Sequence, residues 1–240
     1  MPNREIVIDP AFEGPPASAH GGYACGVLAP YLAADAEITL RRPVPLGTGL
    51  RLAPNNASLA LRHGNDLVAE GASTRLDDRA PQPPTFAEAL AATASFPGLR
   101  AHPFPRCVGC GTERTDAVAL RIFPGALVTR ELVAAVWYPS SDAVADGSIR
   151  PEFAWAALDC PGGWAASRFG RIDRPAVLGR MAARLWSPIK AQDAHIVVGW
   201  LEGGSGRKLA AGSALYTRDG VLQAFSRQTW ITLTDGGTAR

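Results

Sequence analysis

His20-Gly21-Gly22-Tyr23-Ala24-Cys25-Gly26-Val27-Leu28-Ala29-Pro30 carries no charged side chain after its histidine, and the apolar run that starts at Tyr23 continues to Leu32. A helix on a protein surface needs a polar face, so a segment apolar on almost every side predicts a buried helix. A second such segment runs from Phe153 to Leu158 and also meets a proline, in Asp159-Cys160-Pro161. Proline lacks the N–H that the next helical turn needs, so both helices are expected to kink or stop there.

Working outward, each segment is followed by the same weak series. In front it is Leu40-Arg41-Arg42-Pro43-Val44, then Leu59 to Arg62, a turn at His63-Gly64-Asn65-Asp66, and Leu67-Val68-Ala69-Glu70-Gly71. Behind, it is Leu185-Trp186-Ser187-Pro188-Ile189, then Ile196 to Leu201, a turn at Gly203-Gly204-Ser205-Gly206, and Leu209-Ala210-Ala211-Gly212. A repeated order of this kind points to a duplicated unit. Alternation in Leu59-Ala60-Leu61-Arg62 and Ala214-Leu215-Tyr216-Thr217, with a hairpin signal at Asp219-Gly220, predicts antiparallel strands. A buried helix followed by an antiparallel sheet, twice over, predicts an α+β protein.

Prolines 81, 83, 84, 97, 103 and 105 mark the break between the halves. Inside it, Thr85-Phe86-Ala87-Glu88 has capping-box spacing, which predicts a short helix from Phe86 to Ser95 closed by Phe96-Pro97-Gly98. The expected organisation is a first half over 1–80, a linker with a helix over 81–103, and a second half over 104–240.

The 240 residues are 47% apolar and 19% charged, a globular composition. Basic and acidic residues, 24 and 22, nearly cancel to +2, and no basic stripe is present, so nucleic acid is not an expected partner. No apolar segment reaches the roughly eighteen residues of a membrane span and the first residues do not read as a signal peptide, so a cytosolic protein without membrane contact is expected. No phosphate-binding glycine loop of the nucleotide-binding kinds occurs. Cys107 and Cys110 have zinc-ligand spacing, but with no second pair and only His102 nearby, no metal is expected. His63 and His195 read as solvated, and the aromatic residues of the second half, Phe153, Trp155, Trp164, Phe169, Trp186 and Trp200, read as core or as the lining of a pocket.

Two strings resemble a known superfamily. His20-Gly21-Gly22 is similar to the His-Gly-Gly that opens the central helix of hotdog-fold thioesterases, and Cys107-Val108-Gly109-Cys110-Gly111 with Ala119-Leu120-Arg121-Ile122-Phe123 resembles the entry strand of many single hotdog domains. Arg42-Pro43-Val44 and Ser187-Pro188-Ile189 resemble the Arg-Pro-Val stretch of the strand after the helix. The resemblance implies a double hotdog, two curled antiparallel sheets each wrapping a central helix. It also implies an acyl-CoA thioesterase-like hydrolase with the acyl thioester as substrate, no further cofactor, and an assembly compatible with a homodimer.

The chemistry expected of such a site starts at the helix amino end. Its unpaired N–H groups favour an oxyanion, so Gly21 and Gly22 are candidate donors, with His20 orienting the turn. The resemblance places the acidic residue of this site about nine positions after the histidine, where this chain has Ala29; the second half offers Asp159 instead, with Arg150-Pro151-Glu152 in place of His-Gly-Gly. One composite site is therefore expected, with the Gly21-Gly22 amides from one half and Asp159 from the other as general base or nucleophile. Set against this, Asp159 before Cys-Pro-Gly-Gly also reads as an ordinary helix stop. A polar residue expected near Gly14 and a Ser or Thr expected near Leu178 or Gly179 are missing, with Glu13, Glu152 or Cys160 as substitutes. A non-catalytic binder of acyl or other hydrophobic ligands is the alternative function.

Overall fold

Side-chain alternation along the rear strands sorts residues between two cores. Ile196, Val198, Ala214 and Tyr216 belong to one cluster, whereas Val197, Ala211 and Leu215 belong to another. Period-2 strands with both faces apolar must be covered on both sides, and helices do this here. The computed structural model describes residues 4–32, 35–54, 57–77, 79–186, 188–191 and 194–234. Its front part comprises β1 (Arg4–Ile6), α1 (Gly21–Leu28), β2 (Ala36–Leu40), β3 (Leu50–Pro54), β4 (Ser58–His63) and β5 (Asp66–Ser73). The connecting α2 (Phe86–Ala94) leads to β6 (Gly125–Ala126), β7 (Val133–Trp137), β8 (Val144–Ala145) and β9 (Ser148–Ile149). Then come α3 (Pro151–Phe169), β10 (Ala176–Leu185), β11 (His195–Ser205), β12 (Lys208–Thr217) and β13 (Leu222–Thr232).

Eleven of these strands form one antiparallel sheet in the order β1-β3-β4-β5-β2-β10-β13-β12-β11-β7-β6, while β8 and β9 pair separately. From the centre outward the two sides follow the same plan. The strand after each buried helix lies at the middle, and its neighbour is the last strand of its own half. The seam is the β2–β10 pairing, with Thr39 opposite Arg180 and Ala36 opposite Ala183. Asp35 ties it further by accepting from Arg184 Nε at 2.8 Å and from the Leu76 amide at 3.2 Å. The Arg184 bond holds its carboxyl below the usual carboxylate range.

α1 and α3 cross at close range because α1 presents glycine at positions 22 and 26. A Cβ at Gly22 would stand 2.6 Å from Asp159 Cβ, and one at Gly26 would stand 2.6 Å from Glu152 Cα. Only glycine lets these backbones approach so closely. The capping box of α2 is present in both directions, Thr85 with Glu88.

Several expectations need correction. α1 does end before Pro30, in a 3-10 turn over Ala29–Tyr31, but α3 runs as a 19-residue helix straight through Pro161. Pro161 leaves the Ala157 carbonyl without its helical donor; one residue on, the Leu158 carbonyl accepts from Gln228 Nε2 at 2.7 Å and from Ser213 Oγ, which anchors this turn of the helix to the sheet. Asp159 is thus a mid-helix residue and not a helix stop. Pro43 and Pro188 lie beyond the ends of β2 and β10, since a proline cannot donate to the ladder; Ser187 lies outside the described residues. β11 continues through the first glycines of Gly203-Gly204-Ser205-Gly206, with a bulge between Leu201 and Gly203. His195 does start a strand, but it is fully buried against Trp137 instead of solvated.

Candidate active site

The N-terminus of α1 is built by its own histidine. His20 occupies the N-cap position, and its Nδ1 accepts the Tyr23 N–H at 3.2 Å. An imidazole nitrogen that accepts cannot carry a proton, so the proton of the neutral ring sits on Nε2. That Nε2 points across to α3, 3.4 Å from Asp159 Oδ2 and 3.3 Å from Cys160 Sγ. Burial opposes a charged imidazolium, but the Asp159 carboxylate and the Cys107 sulfur outweigh it and raise His20 to about 9. In the neutral ring Nδ1 accepts while Nε2–H donates toward α3; a protonated ring keeps the Nε2 donor but gives up the Tyr23 N–H bond.

The close helix crossing sets the next contact. The Gly22 amide donates to Asp159 Oδ2 at 2.6 Å, so one of the free N–H groups of the helix start is spent on the carboxylate. Asp159 is 2% exposed, and burial raises its pKa above the ordinary carboxylate value, with His20 and the Gly22 amide pulling the other way. Its Oδ1 has no hydrogen-bond partner among the described residues.

His20, Gly21, Asp159 and Cys160 line a cavity of about 820 Å³, in the range of small-ligand sites. Gly22 is not part of this wall. Leu178 and Gly179, standing where a Ser or Thr was expected, are also lining residues, and Leu178 packs against Gly21. Arg41, Arg42, Arg174 and Arg207 occur in the wall. Trp164 and Trp230 belong to it too, while Phe153 and Trp155 are core.

The four site residues expected from the sequence are therefore brought together from both halves, 137 positions apart between Gly22 and Asp159. Two of the expected substitutes are engaged elsewhere, Glu13 with the Ala17 amide and Arg106, Glu152 with Arg150, while the third, Cys160, lies in the cavity wall beside His20. At the start of α3, Arg150 makes no side-chain cap, and the rings of Phe12, Tyr23 and Phe153 pack together nearby, Phe12 on Tyr23 at 3.7 Å. Sequence reasoning missed the grouping of Cys107 and Cys110 with Cys160; the available signal was that each of these cysteines precedes or sits in a short glycine-rich string.

No family model matches the sequence, and no curated protein is detectably similar to it. Solved structures match over nearly the whole chain. A hotdog-fold protein from Alicyclobacillus acidocaldarius superposes with a TM-score of 0.63 at 9% identity, covering 97% of this chain and 93% of its own. An acyl-CoA thioesterase II, TesB2, from Mycobacterium marinum gives 0.54 at 11% identity, with 93% and 92% covered. The dehydratase domain of PpsC from Mycobacterium tuberculosis, in complex with C12:1-CoA, gives 0.61 at 16% identity, with 96% and 93% covered. The chain has the fold shared by these proteins, and its helix-and-antiparallel-sheet architecture is that of the hotdog fold.

Proposed function

We propose that the chain is a double hotdog, each half of the sheet wrapping its own helix, and that it hydrolyses acyl thioesters of the acyl-CoA class at one composite site. The observation that carries this is the Asp159 carboxylate, held by the Gly22 amide at 2.6 Å and lining the same cavity as Gly21. In this proposal the thioester carbonyl is held by the Gly21 amide, beside Leu178, which packs on that glycine. A water positioned by Asp159 Oδ1 attacks the carbonyl carbon and gives its proton to the carboxylate. The tetrahedral oxyanion takes the Gly21 N–H, a donor whose loss typically costs about 2.7–4 kcal/mol. Collapse breaks the C–S bond, and the proton returns from Asp159 to the departing thiolate, leaving acid and thiol. His20 fixes the helix start and donates to Asp159 from Nε2. The apolar part of the wall accepts an acyl chain, and the arginines suit the phosphates of a carrier. The cytosol is the proposed place of action. A homodimer through sheet edges would pair β1 or β6, which are only three and two residues long.

A second reading is favoured by the His20–Asp159 pair at 3.4 Å and by the likeness to the PpsC dehydratase domain: addition or removal of water at the double bond of an enoyl thioester. One experiment separates them. The protein is incubated with saturated, aromatic and 2-enoyl acyl-CoAs while free thiol and enoyl absorbance are both followed. Hydrolysis predicts thiol release from saturated substrates; hydration predicts loss of enoyl absorbance without thiol. Binding with neither change would make the chain a non-catalytic acyl carrier.

A further inference from the structure

Cys107, Cys110 and Cys160 come together although the third lies on a different element and more than fifty residues on. Cys107 Sγ is 3.9 Å from Cys160 Sγ and 3.9 Å from Cys110 Sγ. Bonds of ~2.3 Å to a tetrahedral zinc set sulfurs about 3.8 Å apart. Both spacings about Cys107 are those of thiolates around one ion, and far from the S–S bond of a disulfide; all three are free thiols. The loop is shaped for the cluster. The Gly111 amide donates to the Cys107 carbonyl at 2.8 Å, closing a tight turn around the two loop cysteines. A Cβ at Gly109 would stand 2.5 Å from Cys160 Sγ, so the loop backbone lies directly on the α3 cysteine.

Donors also face the sulfurs. Trp164 Nε1–H reaches Cys110 Sγ at 3.4 Å, and His20 Nε2–H reaches Cys160 Sγ at 3.3 Å. N–H groups aimed at sulfur suit thiolates, the form that metals bind. His20 Nε2 is itself within 4.8 Å of both Cys107 and Cys160. Because its Nδ1 accepts the Tyr23 amide, its Nε2 keeps a proton and stays a donor, not a ligand. All three cysteines line the large cavity, which supplies both an entry path and an open fourth position.

We propose that Cys107, Cys110 and Cys160 form a binding site for one Zn²⁺ ion, with the fourth position facing the cavity. Soft thiolates in a tetrahedral setting select this class of ion. The sequence spacing alone lacked a second ligand pair; α3 provides the missing sulfur. The site stands whether or not the cavity hydrolyses thioesters, and its test reads metal, not turnover.

The reduced full-length protein is equilibrated with Zn²⁺, freed of excess, and its metal measured by plasma mass spectrometry; Co²⁺ is bound in parallel and its absorption recorded. One equivalent of zinc per chain is expected, with intense thiolate-to-cobalt charge-transfer bands. Cys110→Ser and Cys160→Ser should each lose zinc to a chromophoric chelator roughly tenfold or more readily, while Cys25→Ala, which removes a buried cysteine outside the cluster, should behave as the parent. A parent protein that takes up no zinc while its thiols stay reduced and titratable would overturn the proposal. So would bound cobalt without thiolate bands, a result that needs no variant to fold.

Discussion

At the residue scale, two buried groups of opposite purpose stand out. Asp159 is buried but held by an amide and an imidazole, which gives it a defined orientation. His195 is fully buried beside Trp137, and burial lowers its pKa. Its folded form resists a proton that the unfolded chain accepts near the ordinary value of about 6.5. The stability it leaves intact above that pH is lost as the pH falls below it. Thermal midpoints recorded from about pH 7.5 down to about pH 5.5 should therefore fall in the parent and fall less in His195→Leu. Equal slopes in the two proteins would remove His195 from the acid response. None of this was legible in the sequence, where a histidine at a strand start looks solvated; only the neighbouring strands and Trp137 show it to be enclosed.

At the scale of elements, α3 is the part whose sequence misled most. Its proline signals a stop, and that signal is local, whereas the groups that anchor the turn around it are remote: Ser213 on β12 and Gln228 on β13, both donating to the Leu158 carbonyl. Gln228 also donates to Ser213 Oγ at 3.0 Å and accepts Trp230 Nε1–H at 2.7 Å. Replacing it by leucine strips partners from several buried polar groups at once, each costing about 1–3 kcal/mol when left unsatisfied. Gln228→Leu should thus lower unfolding free energy by at least about 1–3 kcal/mol in denaturant titration, while Gln223→Leu at a more exposed position should change it by roughly 0.5 kcal/mol or less. By contrast, α2 was legible to within a residue, because a capping box is written in four consecutive residues and needs no distant help.

At the scale of the whole molecule, the repeated order of segments was legible because each half carries the same apolar helix, strand and turn signals. The sheet repeats that order outward from the β2–β10 seam. What the sequence could not carry was the distance between the halves. In the sequence Gly22 reads as a candidate donor at the helix start, yet it and Gly26 are what let α1 lie against α3 and bring Asp159 to the Gly22 amide. The third cysteine of the loop cluster escaped notice for the same reason, since it arrives on α3 from the far side of that crossing. That groups from the two halves form one thioester-hydrolysing site is read out by thiol release from acyl-CoA in the parent and in Asp159→Asn. With folding matched by circular dichroism and acyl-CoA binding retained, the variant's rate should be lowered about 10²–10⁴-fold. A variant that releases thiol as fast as the parent would contradict it.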